Sequence, residues 1–442
     1  MRGSAAFRAG VAPGGALAGP WVRNPLWRNA RAVPSLDLQL ADNKSLVDGV
    51  TGKNLVDFTR ASSATFTGSD GLIKSATTNE ARFDHNPTTG ESLGLLVEDA
   101  RTNSLTNNTM GGAVAGTPGT LPTGWPFQAS SNGLAVSIVG TGTESGIAYL
   151  DWRISGTATA AAVGDICFGR ASALTAQAWT GSSYLRLVAG NLSGVTGATI
   201  GLIEETVAQT FITGALYSIS LPTTASLITQ RPAASRTLTG GVTVALLRTN
   251  LTFNVSSGST VDFTIRIGLP QVEQGAFATS VIPTTTATVT RAADVASITG
   301  TNFSSWYNQT EGTVFADVTR QTTTGFPGRF RFWDGTSANS IDLYYDAAAN
   351  SSTFEIRASG TSSVQIFGGG GALNSPVKAA AGWQTNNAAV TYNGVILGTD
   401  SSVVIPVADQ VRIGSSLTGT IKRLTYWPVR LANPTLQSIT TP

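Results

Sequence analysis

The chain has few of the side chains that usually perform acid–base or nucleophilic chemistry. His85 is its single histidine and Cys167 its single cysteine, which excludes a clustered His/Cys metal site. We expect His85, next to a turn at Asn86-Pro87, to be a hydrogen-bonding residue, and Cys167, in a strand-like apolar run, to be a buried inert thiol. No phosphate-binding Gly-Lys-Ser/Thr loop occurs, and no Gly-x-Ser-x-Gly elbow with a histidine partner stands out.

Paired carboxylates are the remaining route to cleavage of a glycosidic bond. Glu204 and Glu205 are neighbours in a strand-like run, so their side chains should point to opposite faces. Asp317 and Glu355 lie on evident strands but are isolated from other carboxylates in the sequence. The sequence therefore predicts no catalytic residue.

A charged cluster follows the apolar run Leu93–Val97 and consists of Glu98, Asp99 and Arg101. We interpret it as a local ion pair at the end of a strand, because charge clusters are weak indicators of function. Catalysis by these three residues is the minor alternative.

Three short runs combine aromatic rings with amides or carboxylates, the groups that hold sugars. The candidate glycan-binding residues are Trp306, Tyr307, Asn308, Trp333, Asp334 and Tyr344. Trp and Tyr also dominate the packing of cores and interfaces, so a core or interface position is the alternative for each run.

The elements that would position these residues are predicted to be strands. The chain has 442 residues, 49 of them glycine, and only 12% are charged, which favours two or three β-rich domains. Apolar and polar residues alternate most clearly over Val261–Ile267, as in a two-sided strand. The fold class is therefore all-β, with antiparallel β-sandwiches in several domains.

Two further patterns make local predictions. In Leu36–Leu40 the three leucines should face the core, and Asp37 and Gln39 should face water. Asn393-Gly394 fits a type I′ turn and predicts a hairpin. We divide the chain into a small β-module over 35–101, a larger β-domain over 102–283 and a third β-domain over 291–442.

Residues 1–34 differ from the rest, since they are rich in Gly, Pro and Arg and contain no Asp or Glu. The stretch has no continuous apolar run, which argues against a signal peptide. A disordered tail is one alternative. We favour an extended docking peptide with Trp21, Arg23, Trp27 and Arg28 as anchors, because Trp and Arg dominate interface energetics.

Charge and hydropathy set limits on partners. The net charge of +2 gives no general attraction to nucleic acid. No apolar run is long enough to span a bilayer, so no membrane insertion is expected. We predict no cofactor and no bound metal. The alternative is a single calcium ion coordinated by scattered carbonyl groups.

Several ordered blocks of the sequence carry a resemblance to a known family. They are Phe58–Phe66, Asp70–Ile73, Arg82–His85, Gly94–Glu98, Arg101–Asn103, Gly268–Ser280, Thr290–Asp294 and Asn302–Gln309. Together they resemble the head spike fibre and tail-fibre-like virion proteins of tailed phages and prophages. The match runs from about residue 35 to the C-terminus.

The resemblance implies a carbohydrate-module-like jelly roll over 102–283 and a concanavalin- or laminin-G-like sandwich over 291–442. It also implies a homotrimer at the virion surface, attached to a phage head protein through its N-terminus and contacting host-surface polysaccharide. Attachment to the tail, a decoration protein without ligand, and a polysaccharide-cleaving enzyme are the alternatives. We expect a non-enzymatic protein.

Overall fold

A computed structural model describes residues 24–321 and 325–442. They form antiparallel sheets with a few short helices, which confirms the all-β fold class. The helices are α1 (Pro25–Ala30), α2 (Leu40–Asn43), α3 (Gly300–Ser304) and α4 (Asn433–Thr440).

The strands fall into three consecutive groups along the chain. The first group is β1 (Leu36–Leu38), β2 (Asp57–Thr59), β3 (Ala64–Thr67), β4 (Ile73–Ala76), β5 (Arg82–His85), β6 (Ser92–Val97) and β7 (Arg101–Asn103). The second group is β8 (Phe127–Ser130), β9 (Leu134–Glu144), β10 (Ile147–Thr157), β11 (Ala162–Ser172), β12 (Ala178–Gly190), β13 (Val195–Glu205), β14 (Phe211–Ile219), β15 (Ala233–Thr237), β16 (Leu246–Val255) and β17 (Thr260–Gln274). The third group is β18 (Val289–Arg291), β19 (Val295–Thr299), β20 (Glu311–Arg320), β21 (Gly328–Trp333), β22 (Ser340–Asp346), β23 (Ser351–Ala358), β24 (Thr361–Gly368), β25 (Pro376–Gln384), β26 (Asn387–Tyr392), β27 (Val395–Asp400), β28 (Gln410–Ile413) and β29 (Gly419–Trp427).

The first and third groups build one sandwich, which we call the terminal sandwich. One sheet has the order β27-β26-β25-β20-β29-β6-β5, with β1 also paired to β29, and the other has the order β2-β19-β28-β21-β22-β23-β24. Leu95, Val314, Phe332, Trp383 and Tyr426 are among the side chains buried between them. The Asn393-Gly394 hairpin is confirmed, because Tyr392 pairs with Val395.

The second group builds the inserted sandwich. Its two five-stranded sheets have the orders β15-β12-β17-β10-β9 and β14-β13-β16-β11-β8. The alternation over Val261–Ile267 is confirmed, since Val261, Phe263, Ile265 and Ile267 are all buried in its core. The strands β7 and β18 pair where the chain enters and leaves this sandwich.

Strand pairing joins two regions that the sequence analysis treated as separate units. Leu36 pairs with Tyr426, and Leu96 pairs with Thr420, so strands from 35–101 and 291–442 share a sheet. Strand β2 likewise pairs with β19 in the other sheet. A period-two pattern reports which face of a strand is buried and does not report which strand lies beside it.

The prediction that Asp37 faces water is wrong. Asp37 is fully buried, because α1 covers this side of β1. Its carboxylate accepts hydrogen bonds from Trp27 Nε1 (2.9 Å), Arg423 Nε (2.8 Å) and Thr425 Oγ1 (2.7 Å). The predicted strand also ends at Leu38, and Leu40 begins α2.

Candidate functional site

A groove runs over the outer face of the terminal sandwich, on strands β21 to β23. Residues alternate along each strand, so Phe332, Ile341 and Phe354 point into the core. The opposite face of these strands carries polar and aromatic side chains. The groove has a volume of about 470 Å³, and we define the outer groove by Phe326, Arg331, Asp342, Tyr344, Glu355 and Arg357, which line it.

Cross-strand register places three charged side chains and one amide in a row across four strands. Arg331 pairs with Asp342, Asp342 with Glu355, and Glu355 with Gln365. Arg331 Nε lies 3.4 Å from Asp342 Oδ1. Residues directly opposite each other in an antiparallel pair have neighbouring side chains, so the two carboxylates lie next to each other.

Glu355 accepts hydrogen bonds from several neighbours in the groove. Tyr344 donates its hydroxyl to Oε2 over 3.1 Å, and Arg357 Nη2 and the Ser362 hydroxyl donate to Oε1, the former over 2.9 Å. Burial alone would raise the pKa of Glu355, but the bonds from Ser362 and Arg357 outweigh it and lower the pKa. Glu355 is therefore held as a carboxylate.

The pKa of Asp342 is shifted in the opposite direction to that of Glu355. Burial raises the pKa of Asp342 to about 6, although Arg331 and the Ser340 hydroxyl favour the carboxylate. The Ser340 hydroxyl lies 2.6 Å from Oδ2. Burial and the nearby Glu355 charge raise the pKa of Tyr344, so its hydroxyl stays protonated and donates.

The outer groove corrects the expectation that Glu355 is isolated. Its partner Asp342 is thirteen residues earlier in the chain and becomes its neighbour through strand pairing. Sequence reasoning included Tyr344 but missed Arg331, Asp342, Arg357 and Phe326. The alternation Ser340-Ile341-Asp342-Leu343-Tyr344 could have placed Ser340, Asp342 and Tyr344 on one face.

Tyr344 also contributes an aromatic surface. The ring of Phe326, which is 61% exposed, meets the Tyr344 ring edge-on with centroids 5.7 Å apart. At the other end, the Arg331 guanidinium lies over Trp333 at 4.8 Å. Apolar rings therefore flank the charged row.

The first predicted aromatic run lies in the core. Trp306 is buried and packs edge-on against Tyr426 with centroids 5.1 Å apart, and Tyr307 stacks on Phe332 at 5.3 Å. Asn308 donates from Nδ2 to the Pro428 carbonyl over 2.8 Å. This position corrects the glycan-binding assignment of the run, because rings packed on both sides cannot stack on a sugar.

The two candidate residues of the second predicted run, Trp333 and Asp334, have different roles in the structure. Trp333 is half-buried beside the outer groove. Asp334 instead organises the following loop, since its carboxylate accepts from Thr336 N (2.9 Å) and Asn339 Nδ2 (2.7 Å). The Thr336 hydroxyl and Asn339 hydrogen bonds lower the pKa of Asp334 to about 2. Asp334 is thus a loop-stabilising residue.

Two of the four predicted N-terminal anchors lie within the described residues and two lie outside them. Trp21 and Arg23 lie outside the described residues. Trp27 belongs to the fold, since it is buried in a cluster that includes Trp427 and Leu436. Its assignment as an anchor is therefore corrected, whereas Arg28 on the same helix is exposed.

The Glu98 cluster is a buried ion-pair network at the junction of the two sandwiches. Glu98 Oε2 lies 2.7 Å from Arg82 Nη1 and 3.1 Å from Arg291 Nη1. Asp294 pairs with Arg82 and with Arg60 Nη1, the latter at 3.0 Å. Glu98 is ion-paired as expected, but the prediction of a local pair is wrong, because its partners Arg82 and Arg291 come from other segments and Arg101 is not among them.

The same network reaches the end of the inserted sandwich. Ser280 donates from its backbone N–H to Glu98 Oε1 over 2.8 Å and from its hydroxyl to Oε2 over 2.6 Å. Burial alone would raise the pKa of Glu98, but Arg291 and Arg82 outweigh it and lower the pKa to about 2. We call this junction the polar junction: Arg60, Arg82, Glu98, Ser280, Arg291 and Asp294.

Other candidate chemistry is structural. His85 is buried, and its Nδ1 lies 3.1 Å from the Thr67 carbonyl. Cys167 is fully buried, and burial raises the pKa of its thiol to about 11, which confirms an inert thiol. Glu204 pairs with Arg236, and Glu205 with Arg170, so the adjacent glutamates have separate partners.

Two classes of feature are absent from residues 24–321 and 325–442. These residues contain no group of three or more His, Cys, Asp or Glu side chains placed to hold a metal ion. Their helices include none that is both long and apolar enough to cross a membrane.

No protein-family model matches the chain, and no curated protein matches it. Solved structures that overlap with it include the CBM40 domain of the Ruminococcus gnavus IT-sialidase bound to α2,3 sialyllactose, at 15% identity and a TM-score of 0.27 over 30% of this chain and 84% of that one. A heptameric SAP-like pentraxin from Limulus polyphemus overlaps at 15% identity and a TM-score of 0.24, over 30% and 70% of the two chains. Trypanosoma rangeli sialidase overlaps at 10% identity and a TM-score of 0.26, over 70% and 62%. Overlaps of this size carry no argument about ligand or activity.

Proposed function

We propose that the protein binds glycans in the outer groove and serves as a fibre or spike on a phage head. The observation that carries glycan binding is the arrangement of Tyr344, Glu355 and Arg357 beside the Phe326 ring. Sugars present hydroxyl groups around apolar ring faces, so they are held by aromatic surfaces together with charged hydrogen-bonding groups. The outer groove offers both within about 470 Å³.

The groove is suited to a short stretch of polysaccharide. Its arginine side chains remain partly accessible, Arg331 at 30% and Arg357 at 38%, whereas the two carboxylates are more buried. The guanidinium groups can therefore donate to sugar oxygens while the carboxylates fix their positions. Single contacts of this kind are weak, and a trimeric fibre would strengthen them through multivalency.

Retention on immobilised host capsule or lipopolysaccharide tests glycan binding. The full chain is used, because α1 is part of the fold. We expect Tyr344→Ala and Arg357→Met each to reduce retention at least ten-fold. Phe211→Ala, an exposed aromatic on the inserted sandwich, and Arg153→Met, an exposed ion-paired arginine, are the matched controls. Equal retention by all four variants would overturn the assignment to the outer groove.

Cleavage of the bound glycan is a second candidate function, and the Asp342–Glu355 pair favours it. The raised pKa of Asp342 suits a general acid, and the lowered pKa of the neighbouring Glu355 suits a nucleophile. Asp342 would give its proton to the glycosidic oxygen as that bond to the anomeric carbon breaks, while Glu355 forms an ester with the same carbon. Water, deprotonated by Asp342, would then release the sugar and restore both groups.

Release of reducing ends separates the two functions. Retention without reducing ends supports a non-enzymatic fibre. Reducing ends that appear with the unmodified chain and vanish with Asp342→Asn and Glu355→Gln support cleavage. Both variants keep the size and shape of the side chain and remove only its charge, so loss of retention with either would indicate damage to the groove.

The virion role rests on the resemblance of the sequence blocks to phage head fibre proteins. In this proposal residues 1–23, which include Trp21 and Arg23, attach the protein to a head protein. A chain without residues 2–23 should fail to assemble onto particles while keeping glycan retention. Sedimentation equilibrium tests the trimer, and the mass of a single chain would contradict it.

A further inference from the structure

Arg329 is a buried arginine without a counter-charge. Its side chain lies inside the terminal sandwich, and the residue is only 4% exposed. Nη2 donates to the Ser352 hydroxyl over a long 3.3 Å, while Nε and Nη1 have no hydrogen-bond partner. An arginine stays protonated in proteins, so a full positive charge is buried here.

The surroundings of Arg329 add positive charge and offer no carboxylate. Burial lowers the pKa of Arg329, and the neighbouring Arg320 lowers it further. The Tyr392 ring lies 4.8 Å below the guanidinium, but burial raises the pKa of its hydroxyl, which therefore stays neutral. No ion pair joins Arg329 to a carboxylate among the described residues, and residues 1–23 and 322–324 contain no Asp or Glu.

A second unsatisfied group accompanies the arginine. The Tyr392 hydroxyl is buried beside Ser352, and no partner meets full hydrogen-bond geometry with it. Ser352, whose hydroxyl faces Arg329, is itself only 1% exposed. Buried polar groups without partners are rare in folded proteins, and a buried charge without a partner is costlier still. Two guanidinium nitrogens, Nε and Nη1 of Arg329, lie unsatisfied at the same place as the Tyr392 hydroxyl, which indicates a missing acceptor.

We propose that a small monovalent anion of the halide class, chloride in ordinary solution, binds between Arg329, Ser352 and Tyr392. One negative charge balances the single guanidinium. The enclosure of all three residues excludes sugar acids and favours an ion that loses little hydration. The anion would be a structural component of the terminal sandwich, independent of the outer groove.

Chloride titration of thermal unfolding tests the site. Ionic strength is held constant with gluconate, which is too large to enter. An ion that binds only the folded state raises the folded-to-unfolded ratio ten-fold for each ten-fold rise in chloride above its Kd. We expect this dependence in the unmodified chain and in Arg153→Met, and its loss in Arg329→Met. A flat titration of the unmodified chain, or an unchanged slope in Arg329→Met, would overturn the proposal.

A bromide soak gives an answer that does not depend on a variant that folds. Crystals of the unmodified chain in sodium bromide should show an anomalous peak within hydrogen-bond distance of Arg329 and Tyr392. A water molecule in place of that peak would overturn the proposal. Tyr392→Phe, which removes one donor and keeps the ring, should weaken the chloride dependence and keep the fold.

Discussion

Arg82 on β5 donates from Nη1 to Glu98 Oε2 over 2.7 Å, and both side chains are at most 1% exposed. Glu98 also receives two hydrogen bonds from Ser280, at the end of the inserted sandwich. One carboxylate thus holds together segments that are 16 and 182 residues apart. Glu98 is therefore one of the contacts that hold the two sandwiches together.

Removal of the Glu98 charge should strongly destabilise the chain. Glu98→Gln leaves Arg82 and Arg291 with an uncompensated buried charge, and breaking a buried pair costs about 3–5 kcal/mol. The measurement is chemical denaturation at pH 7. Arg153→Met breaks an ion pair whose side chains are 44% and 59% exposed, and it should change the midpoint little. Equal effects of the two substitutions would contradict a structural role for the polar junction.

The pH dependence of Glu98 has a defined sign. Its folded pKa of about 2 lies below the ordinary glutamate value of 4.5, so its stabilising contribution is complete above pH 4.5 and is lost as pH falls toward 2. In the unmodified chain the free energy of unfolding should therefore decrease over this range. In Glu98→Gln that part of the decrease should be missing.

Ionisation of Asp84 should lower the free energy of unfolding, whereas ionisation of Glu98 raises it. Burial raises the pKa of Asp84 to about 6 from the ordinary aspartate value of 3.8, although the Thr67 N–H donates to its Oδ1 over 2.7 Å. Ionisation therefore costs stability as pH rises from about 3.8 to 6. Asp84→Asn should stabilise the chain by about 2–3 kcal/mol at pH 7 and have little effect at pH 4. Thermal unfolding at both pH values measures this, and stabilisation that is equal at the two would contradict the assigned pKa.

The fold and the site were predictable from the sequence to different extents. Alternation over Val261–Ile267 and the Asn393-Gly394 turn are local signals, and both are confirmed. Asp37 shows what an alternating pattern does not predict. A polar residue on such a strand faces water only where no other element covers that face. Here α1 covers that face, and its docking onto β1 depends on contacts that no local pattern encodes.

The residues of the outer groove could likewise be predicted only in part from the sequence. Tyr344 is identifiable as an aromatic beside a carboxylate, but Glu355 becomes part of a pair only through its register with Asp342. Register between strands is fixed by packing and turn geometry over the whole sheet. The Trp306 run resembles a sugar-binding run in composition, and only the position of its rings shows that it is core.

Loss of the packing of α1 should unfold part of the terminal sandwich. Trp27 is buried against Trp427 and Leu436, so Trp27→Ala should cost about 3–5 kcal/mol. A chain that lacks residues 2–34 loses the same contacts, whereas one that lacks residues 2–23 keeps all of them. Thermal unfolding should therefore separate the two truncations. Equal midpoints would show that α1 contributes no stability.

Glycan retention should depend on pH when the polysaccharide is anionic. Arg331, Arg357, Asp342 and Glu355 sum to zero charge at pH 7, and Asp342 becomes neutral below its pKa of about 6. The groove then has a net positive charge, so retention of an anionic polysaccharide should rise several-fold between pH 7 and pH 5. Asp342→Asn should have high retention at both pH values, and a neutral polysaccharide should show no change. A pH response unaltered in Asp342→Asn would exclude Asp342 as its source.

Thr425 donates to Asp37 across 388 residues of chain, and β29 lies between β20 and β6 in its sheet. During synthesis, β1, β2 and β6 leave the ribosome long before β19 and β29, the later strands with which they pair. The inserted sandwich is complete once residue 274 has emerged, so it should fold first. A nascent chain that stops before β29 would expose the unpaired edge of β6, which is a site for aggregation. We therefore expect chains that end before β29 to aggregate more readily than the full chain.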